Sequence, residues 1–253
     1  MEDRPTFDLV GGNPPPLPRL PGGVVMREDR DAVHDALLAD IAVHARNCIR
    51  TFGDFQLAIS FSGGVVPIVR RMMTDPLYRE FPWSRTRVWL VDEAMVSEDD
   101  PQHRGSILEG LVVEGSGMPR EQAHRIDTSR PDAATAYETQ LREHLGWREK
   151  GQDRLDVVLV EQLPDGAWSG VIDGGSQDTL VATTPVMADA PARVGMTGAA
   201  VRGARLLAIV ATGKQAASGI HRWRGEFSVR KAGVLPMIDA AEVRWYVDYD
   251  AVG

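Results

Sequence analysis

Four short segments of this chain carry residues able to handle a small polar ligand, and each follows an apolar run. The first, FSGGVVP (Phe61–Pro67), sets Gly63 and Gly64 between a strand-like and a helix-like stretch. Glycines there let backbone amides approach an anion, whose charge a helix N-terminus favours; a plain tight turn explains the same residues. The second, VDEAMVSEDDP (Val91–Pro101), offers Asp92 and Glu93. Such paired carboxylates hold sugar hydroxyls or a water, or cap a helix or turn, while Glu98-Asp99-Asp100 reads as a solvated turn. The third, VEQLPDGAWSG (Val160–Gly170), carries Asp165 and Gly166 in a Pro-Asp-Gly turn. The fourth is Pro185–Thr197 with Arg193 as its central cation, joined by TGK (Thr212–Lys214). Arg193 or Lys214 alone is an ordinary surface charge, but at matching strand ends the two cations suit a phosphate.

The elements that must position these segments follow from periodicity. Val33, Leu37, Ile41, Ala45 and Cys48 recur at helical spacing, and that helix ends near Phe52-Gly53. Val66–Met73, Ile107–Val113, Ala133–Leu145 and the GKQAASGI stretch read as further helices. Leu57–Phe61, Arg87–Glu93, Leu155–Val160, Leu180–Thr183, Arg205–Thr212 and Val243–Val247 read as strands. Helices alternating with continuously apolar strands imply an α/β fold: a mostly parallel, doubly wound sheet covered on both faces, with ligands at the strands' carboxyl ends. Residues 1–25 stand apart as a proline-rich arm, because GGNPPPLPRLPGG (Gly11–Gly23) supports neither helix nor central strand. Residues 26–253 then form a single domain.

Composition narrows the function classes. With 253 residues, 43% hydrophobic and 25% charged, the chain is an ordinary globule. A net charge of -8 argues against a nucleic-acid partner but not against one small anion, which needs only local cations and amides. Cys48 is the only cysteine, so a disulfide within the chain and a thiolate metal cage are both excluded; a buried inert thiol is expected there. No P-loop, no Gly-x-Gly-x-x-Gly and no metal-ligand spacing of histidines is present, so no cofactor or metal is expected. The acidic N-terminus is no secretory signal and no apolar run reaches the roughly 18 residues of a membrane span, so the expected location is the cytoplasm, with no membrane partner.

The order of the segments resembles the 6-phosphogluconolactonases and, more broadly, the glucosamine-6-phosphate isomerase/deaminase group. Strand then Ser62-Gly63-Gly64-x-x-Pro67, strand then Asp92-Glu93, strand then Asp165-Gly166, the Arg193 segment, then strand with TGK is similar to that family from about Asp31 to Ala251. RVGMT (Arg193–Thr197), VLP (Val234–Pro236) and VRWYVDYDA (Val243–Ala251) look like its C-terminal third. The resemblance implies a three-layer α/β sandwich that binds a phosphorylated sugar or sugar lactone and hydrolyses 6-phosphogluconolactone without a metal. In the family, a histidine directly after Asp-Gly acts as general base.

Here that position is Ala167, followed by the bulky Trp168. Glycines expected before Asp-Gly are Glu161 and Leu163, hydroxyl residues after Gly64 are Val65 and Val66, and the arginine after Asp92-Glu93 is Ala94. A family Ser-Asn pair is His103-Arg104, and the family lysine falls nearer Ala216 than Lys214. Two readings follow. In one, the protein still acts on a phosphosugar, with His103 as candidate base and Arg104 as phosphate clamp. In the other it is a non-catalytic homologue that senses a phosphosugar or binds a protein partner through the proline-rich arm. A deaminase reading is weaker, because that chemistry also needs the missing histidine.

Overall fold

The computed structural model describes residues 14–149, 153–174, 176, 178–188, 190–229 and 242–253. The start of the proline-rich run and the VLP segment (Val234–Pro236) lie outside them. Among the described residues, seven strands form one parallel sheet in the order β1 (Gly23–Arg27), β10 (Glu242–Asp248), β9 (Leu206–Ala211), β6 (Val157–Glu161), β2 (Phe55–Ile59), β3 (Thr86–Leu90), β5 (Ala123–His124). The helices are α1 (Arg30–Phe52), α2 (Val66–Thr74), α3 (Arg104–Leu108), α4 (Glu114–Ser116), α5 (Ala133–Leu145), α6 (Gly198–Arg202), α7 (Ala217–Val229) and α8 (Tyr249–Val252). Every residue of β2 and β9 is buried, as continuously apolar strands require when helices cover both faces of a doubly wound sheet. The four most apolar runs of the sequence are consecutive neighbours, β9-β6-β2-β3, with Leu57 opposite both Val88 and Val157. No helix among the described residues is long and apolar enough to cross a membrane.

Three features differ from the sequence reading. The run Arg87–Glu93 is not one strand: β3 stops at Leu90 and the chain crosses at Val91 into β4 (Asp92–Ala94). Val91 N donates to Ile59 O of the large sheet, while Val91 O accepts from Met196 N. One residue thus passes the hydrogen-bond ladder to a small antiparallel sheet of β4, β8 (Arg193–Met196) and β7 (Val181–Thr183). The strand expected at Leu180–Thr183 therefore lies outside the parallel sheet. The helix expected at Ile107–Val113 is split between α3 and a π-helical turn, Glu109–Val113. Finally, the boundary drawn at residue 25 falls inside β1, which pairs with β10 at the sheet's edge. Pro18, Leu20 and Pro21 are buried, and Trp245 Nε1 donates to Pro21 O (2.9 Å). An edge strand tolerates this proline-rich approach because one side of it needs no ladder donors.

Beneath the strands' amino ends, buried Asp156 accepts from Arg148 Nη1 and Nη2 (2.8 and 2.9 Å), Arg205 Nε (3.0 Å) and Gln56 N (2.8 Å). The Cys48 thiol lies near this carboxylate, and burial first, Asp156 second, push it up to about 12, so it stays an inert thiol.

His124 stacks on Trp89 with ring centroids 3.7 Å apart. Burial first, then His144 and Arg87, lower its pKa from 6.5 to about 3. The unfolded chain takes up this proton at higher pH than the folded one. Stability is therefore full above the unfolded value and falls as pH drops toward the folded one, by up to about 1.4 kcal/mol per pH unit. Denaturant midpoints across that window are expected to fall in wild type and to flatten in His124→Phe; equal slopes in the two proteins would discard this origin of acid lability.

Candidate functional site

The carboxyl ends of β2, β3, β6 and β9 lie side by side, bringing four loops to one rim of the sheet. After β2 the chain turns through Phe61, whose φ of 45° is the left-handed region that non-glycine residues seldom occupy. This turn aims Ser62, Gly63 and Gly64 at the rim before α2 begins. Ser169 Oγ donates to Ser60 Oγ (2.8 Å), Ser60 Oγ reaches Ser62 Oγ (3.3 Å), and Glu161 N donates to Ser169 Oγ (2.9 Å). These hydroxyls sew the glycine loop to the segment after β6.

The glycine loop's amide is already engaged. Gly64 N donates to Glu161 Oε2 at 2.9 Å, and a Cβ built on Gly64 would lie 2.5 Å from Glu161 Oε1. Where a helix N-terminus offers an amide to an anion, the chain supplies its own carboxylate. The TGK loop repeats the device: Gly213 N donates to both oxygens of Asp248 (2.9 and 2.8 Å).

Asp92 is the centre of the cluster. It is fully buried and accepts from Arg193 Nε (2.6 Å), with Arg193 Nη2 at 2.5 Å from the same oxygen; its other oxygen pairs with Arg104 Nη1. Gly195 makes room for it, since a Cβ there would stand 2.7 Å from Asp92 Cβ. Glu93, also fully buried, accepts from Ala94 N (2.9 Å), Arg104 N (2.7 Å) and Gly105 N (2.6 Å). Its carboxylate takes the first two amides of α3, so of the two roles open to it in the sequence, helix capping is the one the fold uses.

Electrostatically the cluster is close to balanced. Burial first, then the Arg193 cation, lower the Arg104 guanidinium to about 9, with Glu161 opposing; it stays charged at neutral pH. Burial likewise lowers Arg193, opposed by Glu93. Asp92, Glu93 and Glu161 face two guanidinium groups, so three formal negative charges meet two positive ones.

The remaining sequence candidates sit elsewhere. Asp165 Oδ1 accepts from Ala167 N (3.0 Å) and Gly166 has φ +86, so Pro164-Asp165-Gly166 is a locked turn. Residues of α7 clamp it: Trp223 Nε1 donates to Gly166 O (2.8 Å) and Arg222 Nη1 to Asp165 O (2.9 Å). Ala167 is exposed, and Trp168 turns inward to stack on Trp223 at 5.5 Å. Lys214 is exposed and forms no hydrogen bond or ion pair among the described residues. Gly63 lines a separate cavity of about 860 Å³ with Phe61, Pro67 and Arg70.

His103, the candidate base, lies inside the fold. It is buried and is the N-cap of α3, with Nδ1 accepting from Ser106 N (3.1 Å) and lying 2.9 Å from Ser106 Oγ. Its other nitrogen, which then carries the ring proton, is 3.7 Å from Glu93 Oε2. The lone pair a general base would use is thus committed to a helix cap. No group of three or more metal-ligating side chains occurs among the described residues. Sequence reading missed Ser60, Ser169 and the reach of Glu161; the only local signal was an acid where glycine was expected.

Comparison with known proteins agrees with this architecture. The family model described as glucosamine-6-phosphate isomerases/6-phosphogluconolactonase matches residues 28–242. The human GDH/6PGL endoplasmic bifunctional protein is 25% identical over 85% of this chain, which spans 28% of that protein's length. A 6-phosphogluconolactonase of Rhizobium meliloti is 28% identical over 62% of this chain and 65% of its own. Among solved structures, 6-phosphogluconolactonase from Thermotoga maritima superposes with a TM-score of 0.73 at 21% identity, covering 89% of this chain and 99% of that one. A monomeric glucosamine-6-phosphate deaminase superposes at 0.67 and 15% identity, covering 90% of this chain and 98% of its own.

Proposed function

The chain belongs to the glucosamine-6-phosphate isomerase/6-phosphogluconolactonase family, and from that premise we propose that it binds a phosphorylated sugar or sugar lactone at the rim of its sheet while hydrolysing the lactone far more slowly than the intact enzymes do. The observation that carries this reading is the pairing of a buried cation cluster with a residue after Asp165-Gly166 that cannot act as a base. Arg104 and Arg193 are held side by side by Asp92, and Ala167, which cannot accept a proton, follows Asp165-Gly166. Arginine forks suit a phosphate or the carbonyl oxygen of a lactone, and the Ser60, Ser62 and Ser169 hydroxyls suit sugar hydroxyls. Water attack on the carbonyl needs a proton acceptor, and neither Asp165, which caps its own turn, nor His103, which caps α3, is free to serve.

A second reading is favoured by the Glu161 carboxylate on Gly64: a non-catalytic homologue whose anion loop is closed by its own side chain, acting as a phosphosugar sensor or a protein-binding module. Thermal shift with 6-phosphogluconate tests both, because a ligand that binds only the native state raises its melting temperature. Wild type is expected to shift weakly and Arg193→Ala not at all. Glu161→Ala is expected to shift more, with affinity rising about tenfold as one charge-assisted bond worth about 1.5–3 kcal/mol becomes available to the ligand. If neither wild type nor Glu161→Ala shifts, phosphosugar binding at the rim is wrong and the protein-binding reading stands.

A further inference from the structure

A second cavity, of about 770 Å³, lies at the β5 edge of the sheet, and the reading above does not use it. Its walls come from the loop after β4 (Met95 to Glu98, and His103), the segment from β5 onward (Ala123, Arg125 to Ser129) and Gln140 of α5. Of the residues gathered around the rim cluster only His103 reaches it; Gly64, Asp92, Glu161 and Arg193 do not. The volume is that of small-molecule sites, about 300–1,000 Å³.

The walls are tied together without any ligand. Thr128 Oγ1 donates to Val96 O (3.4 Å), Ser106 Oγ donates to Glu98 O (2.7 Å), and His103 Nδ1 is fixed by Ser106. A cavity held open in this way spares a ligand the ordering of its own site.

Its chemistry is specific. Arg125 is the one arginine or lysine in the lining, and it makes no ion pair or hydrogen bond among the described residues, unlike Arg104 and Arg193, which Asp92 neutralises. Around it stand hydroxyl-accepting groups: Glu98, the Gln140 side chain, and Asp127, whose Oδ1 is already oriented by Ser129 N (3.1 Å) and Oγ (2.6 Å). A smaller cavity of about 310 Å³ also lined by Arg125, Asp127 and Gln140 runs along α5 to Glu143, giving an elongated ligand room. An unpaired guanidinium forks one carboxylate or phosphate, while side-chain carboxylates and amides take up hydroxyl groups.

We propose that this cavity binds a small polyhydroxylated anion, a sugar acid or sugar phosphate, with its charged end on Arg125 and its hydroxyls on Asp127 and Gln140. The inference does not rest on the rim site, and its test keeps the two apart. Amide chemical shifts of the labelled protein are followed during titration with gluconate, with 6-phosphogluconate, with inorganic phosphate (charge without hydroxyls) and with sorbitol (hydroxyls without charge). Gluconate or 6-phosphogluconate at millimolar concentration is expected to move the amides of Ser97, Arg125, Thr128 and Gln140. Which of the two binds more tightly tells a sugar acid from a sugar phosphate. Arg125→Ala, a change at an exposed side chain, is expected to weaken this binding about tenfold or more, while Arg193→Ala leaves it unchanged. The proposal is overturned if these amides do not move, if Arg125→Ala binds as wild type does, if the movement is confined to Ser62–Gly64 and Arg193, or if inorganic phosphate or sorbitol binds as tightly as the polyol anions.

Discussion

Offered 6-phosphogluconolactone in a coupled assay, the wild-type protein is expected to turn it over roughly 10²–10⁴-fold more slowly than enzymes that retain the base. The proposed loss would follow from one position rather than from disorder of the site. The turn that would carry the base is intact: Asp165 caps it, Gly166 adopts its left-handed φ, and Trp223 and Arg222 clamp it from α7. In the function proposed above the absent group is a proton acceptor at residue 167, and the exposed Ala167 leaves space for one. Ala167→His combined with Glu161→Gly is therefore expected to raise turnover by about tenfold or more, restoring a proton acceptor and freeing the Gly64 amide together. Wild-type turnover in the ordinary range, roughly 1–10³ s⁻¹, would overturn the reading and direct attention back to His103.

The parallel sheet was legible because its signal is local. Strands buried on both faces are apolar at nearly every position, and glycine, proline and aspartate mark where they end. The same punctuation placed Gly64, Asp92 and Arg193 at one rim. What the sequence could not carry are contacts between its distant parts. Glu161 and Gly64 are 97 positions apart, and Asp92 and Arg193 are 101 apart. Read alone, Glu161 was a lost glycine and Arg193 a free cation; together with their partners, one blocks an anion loop and the other is half of an ion pair. The small antiparallel sheet was hidden because Leu180–Thr183 reads as a strand but its pairing with β8, and that of β8 with Asp92–Ala94, joins distant parts of the chain. β1 was hidden by the prolines before it, which signal an arm until Trp245 is seen to hold Pro21 against the sheet. The capping role of His103 was hidden for a related reason, since a helix cap is visible only once the helix start is known.

The pair Asp92–Arg193 also makes the site a matter of stability. Asp92→Ala is expected to cost about 3–5 kcal/mol, because removing the shared acceptor strands two guanidinium groups, of which Arg104 is already lowered by burial first and by the Arg193 cation second. Both cations are largely screened from water, with side chains 15% and 26% exposed, so solvent cannot substitute for the lost carboxylate. Arg130→Ala provides the contrast: its pair with Asp132 has side chains 50% and 55% exposed, and its loss is expected to leave the urea midpoint nearly unchanged. Asp92→Asn, which keeps shape and one acceptor oxygen, should fall between the two. Urea midpoints of the three variants rank them directly. If Asp92→Ala proves as mild as Arg130→Ala, the arginines are finding water, the cluster is open, and the rim could accept a phosphate without first displacing a carboxylate of its own.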